Sequence, residues 1–143
     1  MLSSVSPVDR SHLPDPVANM ADEAQSLAQV LVGVRRYLHR HPEVGMEEHN
    51  TSRFIRETLE GYGLDVYGPI AGTGLYVDIE GNAPGGAVGY RADIDALPTQ
   101  DQKQVPYRSQ TPNVAHLCGH DAHTAIAIGV ALVLHNNRDQ LQG

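Results

Sequence analysis

The chain has 143 residues, of which 41% are hydrophobic and 19% charged, and a formal net charge of −7. That is apolar mass enough for one ordinary domain, and it excludes a phosphate-tracking nucleic-acid surface, which needs a clustered basic footprint. A single cysteine, Cys118, rules out an intrachain disulfide; the longest apolar run, residues 125–134, is too short for a bilayer span of about 20 residues; no apolar signal stretch opens the chain, so a cytoplasmic setting is expected.

Residues 1–19 are rich in Ser and Pro, lack periodicity and read as a flexible leader to a domain over 20–143. Leu27, Val30, Leu31, Val34 and Leu38 recur at spacings of three and four, which predicts a helix over 21–39 stopped by Pro42. A second helix is predicted over 51–60, with Asn50 as N-cap, Phe54, Ile55, Thr58 and Leu59 toward the core, and Gly61 or Gly63 as its end. Residues 64–67 read as a short strand, 75–80 alternate as a half-buried strand, 81–86 form a turn and 87–92 the returning strand. Residues 97–117 are loop-like. A third helix over 121–135 is apolar on nearly every side and is expected to be buried. This order predicts an α/β fold with helices packed on a central sheet.

The chemistry concentrates in residues 116–124, where Cys118, three imidazoles (His116, His120, His123) and Asp121 crowd the mouth of the third helix. Thiolate and imidazole suit zinc and its neighbours, and a bend at Gly119 would aim Cys118 and His120 at one point. A lone buried Cys is usually a small hydrophobe, but so many unpaired polar atoms beside an apolar helix would be costly without a ligand. Asp121 stands where an N-cap belongs. A second block, residues 91–98, places Asp93 and Asp95 after a strand, either as site carboxylates or as a surface turn in which Arg91 forms an ion pair. In a third, His39, His41 and Glu43 are better read as an exposed cation cluster at a helix C-terminus than as ligands.

Together these blocks resemble the M20 peptidase family, in its branch of hippurate hydrolases, N-acyl-amino-acid amidohydrolases and auxin-conjugate hydrolases. The resemblance runs from about Val34 to Gly143 through His39-x-His41-Pro42-Glu43-x-Gly45 with Glu47 and Glu48, Gly72-Thr73-Gly74, Arg91-Ala92-Asp93-x-Asp95-Ala96-Leu97-Pro98, Pro106-Tyr107 and His116-x-Cys118-Gly119-His120-Asp121-x-His123-Thr124. It implies the amino-terminal part of an M20-type catalytic domain without its lid or dimerisation domain, in a full-length enzyme that forms a homodimer. It further implies a centre of two divalent ions, Mn or Zn with Co or Ni as substitutes, hydrolysing the amide of a small N-acyl amino acid, with no nucleic-acid or membrane partner. Cys118 matches the ligand bridging the two ions, His120 a ligand to one, and Asp93 the acidic residue supporting a metal-binding side chain; Arg91 stands where other branches carry a ligating His. The family's Glu-Glu pair, general base included, and its later His ligands are not in these residues. The competing expectations are a truncated, catalytically inactive metal-binding fragment and, from another class, a cysteine-dependent amidase using Cys118 with His120 or His123 as base.

Overall fold

The computed structural model describes residues 15–143. Most of the expected leader, residues 1–14, lies outside the described residues; residues 15–19 form the opening of a helix. The elements in order are α1 (Asp15–Ser26), α2 (Ala28–Arg40), α3 (His49–Gly61), β1 (Tyr67–Ile70), β2 (Gly74–Tyr76) and α4 (His120–Asn136), followed by a 3-10 turn at Arg138–Gln140.

The single helix expected over 21–39 is two, meeting at Leu27. There the Ser26 hydroxyl donates to the Glu23 carbonyl at 2.6 Å, the same oxygen that accepts the Leu27 amide, a local competition that loosens a helical turn. The apolar stripe holds: Val34 and Leu38 are buried, Leu27 and Leu31 pack beside them, and Val30 lies on the rim. α2 ends at Arg40, ahead of the buried Pro42.

α3 starts two residues before its predicted position, and Asn50 is not its cap. The Glu43 carboxylate lies over the first turn instead, accepting from the Asn50 amide at 3.2 Å, the Thr51 amide at 2.7 Å and Asn50 Nδ2 at 2.6 Å. An acceptor borrowed from the preceding loop thus satisfies orphan donors of the helix start. Ile55 and Leu59 are buried, and Phe54 stacks on Tyr37 of α2 at 4.1 Å. Gly63, at φ 87, turns the chain out of the helix.

β1 and β2 form an antiparallel hairpin in which Tyr67 faces Tyr76, their rings 5.1 Å apart. The strand expected at 64–67 therefore begins where it was expected to end: Leu64 and Val66 are buried in the core, and Arg56 of α3 donates to the Val66 and Gly68 carbonyls. Residues 75–80 keep their alternation, with Leu75, Val77 and Ile79 packed on the core, but pairing stops at Tyr76. Residues 87–92 join no ladder among the described residues, and Val88 is 96% exposed.

The core gathers α2, α3 and α4 around Leu38, Ile55, Leu59, Ile128 and Leu132, with Leu75, Val77 and Ile79 of the hairpin region against it. Helices thus cover strand-region side chains in the expected α/β manner. α4 is apolar all round, yet it buries one side: Ile128 and Leu132 face α2, while Ile126 is 51% exposed. No helix among the described residues is long and apolar enough to cross a membrane.

Candidate metal centre

Three separate sequence blocks are drawn together by backbone pairing. The Ala96 amide donates to the Glu43 carbonyl at 2.8 Å, and Leu97 and Ala115 exchange two hydrogen bonds of 3.0 Å each. The strip after Asp95 is thereby clamped between the loop following α2 and the approach to α4. A side-chain tie completes it, since Thr124 Oγ1, in the first turns of α4, donates to the Asp93 carbonyl at 3.1 Å.

At the centre of this junction Gly119 sits at φ 85, a left-handed conformation that glycine adopts without a Cβ clash. It is the N-cap of α4, its carbonyl accepting the Ala122 and His123 amides at 2.9 Å each. The turn places Cys118 just outside the helix, exposed and without a hydrogen bond among the described residues, and His120 at its first position. His120 Nδ1 lies 2.9 Å from Asp95 Oδ1 and 3.0 Å from the Asp95 carbonyl oxygen. Both are acceptors, so Nδ1 carries a proton, and in the neutral ring the lone pair falls on Nε2. A carboxylate behind an imidazole is the arrangement that orients metal-binding histidines and raises their basicity.

The carboxylate of Asp93, expected from the resemblance to support a ligand, pairs with Arg91, and the carboxylate against the His120 ring is that of Asp95. Asp121 is not the N-cap either. It occupies the second position of α4, is 1% exposed, and its Oδ2 accepts from His39 Nδ1 at 2.7 Å and from Arg35 Nε at 3.2 Å. His39 is accordingly no exposed cation: it is buried, with Nε2 3.3 Å from Asp101 Oδ2. Asp101 escaped sequence reasoning because it lies in an irregular loop with no periodic or motif signal. Burial opposes its charge, but the Ser109 and Lys103 amides and the charges of Lys103 and His39 outweigh that and hold its carboxyl below the ordinary 3.8. His116 is buried with neither ring nitrogen hydrogen-bonded among the described residues, and burial pushes its pKa down from 6.5 to about 4, against the pull of Asp121.

The donors present fit a borderline metal in kind: a thiol free of other partners and an imidazole with its second nitrogen already engaged. They are two, and no group of three or more His, Cys, Asp or Glu among the described residues forms a cation cage. Among the described residues no histidine hydrogen-bonds Cys118, the contact that a cysteine-dependent amidase would use.

Residues 89–143 match the model of peptidase family M20/M25/M40. The chain is 42% identical to an N-acetyl-L-cysteine deacetylase of Bacillus subtilis over 118 residues, 82% of this chain and 28% of that protein. It is 36% identical to an N-acyl-L-amino acid amidohydrolase of Geobacillus stearothermophilus over 130 residues, 90% of this chain and 34% of that protein. Among solved structures it superposes on the Bacillus subtilis YXEP protein, described as a dinuclear metal-binding peptidase, with a TM-score of 0.80 at 39% identity, covering 83% of this chain and 34% of that one. The chain spans about a third of the length of these relatives.

Proposed function

Because the chain belongs to peptidase family M20/M25/M40, we propose that it contributes Cys118 and His120 to a two-metal centre that hydrolyses the amide bond of N-acyl amino acids or similar small conjugates. The observation that carries this reading is the Asp95–His120 pair beside the unpartnered thiol across Gly119. The names of the relatives support the substrate class, and the dinuclear neighbour supports two metal ions. The ions proposed are Zn, which suits thiolate and imidazole donors, or Mn, with Co or Ni as substitutes.

When bound, such ions supply Lewis acidity toward the amide carbonyl and lower the pKa of water. The chain's own contribution is orientation. Asp95 holds the proton on His120 Nδ1 and so directs Nε2 outward. Gly119 sets the turn between the two donors, and the Glu43–Ala96 and Leu97–Ala115 pairings hold Asp95 against α4. Asp93 acts through its backbone, as the anchor of Thr124.

The test is turnover of N-acetyl and N-benzoyl amino acids by the protein that carries this chain. Activity is expected to vanish on dialysis against a chelator and to return with Mn or Zn. Turnover untouched by the chelator contradicts the reading.

A further inference from the structure

The last turn of α2 and the first turn of α4 meet through one buried imidazole. His39 is 1% exposed, with Asp121 on its Nδ1 side and Asp101 on its Nε2 side, and both carboxylates are equally buried. Asp101 is itself fixed by its loop, accepting the Lys103 amide at 3.0 Å and the Ser109 amide at 2.9 Å. Asp121 has Arg35 as its other donor, while its Oδ1 is buried without a partner among the described residues. Burying charged partners in this way adds little net stability, because desolvation offsets their attraction. A buried polar network of this kind specifies one arrangement of the elements it joins. The arrangement fixed here is the mouth of α4, since Asp121 directly follows His120 and lies three residues after Cys118.

We propose that His39 is a positioning residue: gripped between Asp101 and Asp121, it sets the entry of α4 and thereby the direction in which His120 and Cys118 are presented. The inference rests on the reading of those two residues as metal donors, but its first readout needs no metal. In the metal-free chain, nitrogen NMR of the His120 ring is expected to show one tautomer, protonated on Nδ1. His39→Gln keeps a donor toward Asp101 and withdraws the one facing Asp121; it is expected to mix the His120 tautomers. His39→Asn keeps an amide donor near the Nδ1 position and is expected to restore the single tautomer.

The second readout is cobalt titration followed by thiolate-to-cobalt absorption. His39→Gln is expected to weaken binding about tenfold or more, in the range seen for residues behind metal ligands, and His39→Asn much less. A purely structural role would lower the unfolding midpoint of both variants without separating them in either readout, and that result overturns the inference. So does a folded His39→Gln variant with the wild-type tautomer and cobalt affinity. Should the wild-type chain show no cobalt–thiolate absorption while the His120 tautomer still follows His39, the metal reading fails and the positioning role stands.

Discussion

At the scale of single residues, the site depends on what stands behind the donors. In the proposed centre Asp95 orients His120, meeting its Nδ1 with both a carboxylate oxygen and a carbonyl oxygen. Asp95→Ala is therefore expected to weaken zinc binding by about 10- to 100-fold, read by competition with a chromophoric chelator. Unchanged affinity would show that the contact does not orient the ring. Gly119→Ala forces a Cβ into a left-handed conformation, at a cost of about 1–2 kcal/mol, and is expected to lower both stability and zinc affinity. The closeness of Cys118 and His120 was legible in the sequence because they are neighbours in one dense cluster. The choice between Asp93 and Asp95 was not, since residues two apart on an extended strip share a side, and only the packing of α4 decides which one meets the imidazole. The burial of His39 was hidden for the same reason, its partners Asp101 and Asp121 being far along the chain.

At the scale of elements, α3 owes its start to a residue outside it. Burial alone would raise the Glu43 pKa, but the Thr51 and Asn50 hydrogen bonds outweigh it and hold the carboxyl below its ordinary 4.5. A carboxyl depressed in the folded state contributes fully above its unfolded value and loses that contribution as pH falls through the folded one. Glu43→Gln is expected to cost about 1 kcal/mol near neutral pH and to flatten the acid limb below pH 4.5, measured by urea unfolding across that range. An acid limb identical to that of the wild type would show that Glu43 does not cap the helix. Helix existence was legible here from period and breakers, while the cap was not, because the first turn takes its acceptor from seven residues upstream rather than from Asn50. Strand edges were the least legible, since alternation at 75–80 reports burial and says nothing about whether a neighbouring strand is there to pair.

For the whole molecule, stability resides where α2, α3 and α4 meet. Leu132, 1% exposed at the centre of the core, is expected to cost about 2–5 kcal/mol when changed to Ala. The amides of 87–92 make no backbone hydrogen bond among the described residues, so they are expected to exchange with solvent far faster than those of 128–132 in α4. Comparable protection of the two segments would contradict this picture. The same packing carries the site, because the apolar face of α4 seats the helix and its amino-terminal turn presents the donors.

Whether Cys118 and His120 are donors to a shared cation is decided by titrating the protein that carries this chain with cobalt and following thiolate-to-metal absorption. A saturable band is expected, abolished in Cys118→Ser and weakened in His120→Ala. Cobalt binding with no such band, or a band indifferent to His120, would contradict a shared cation.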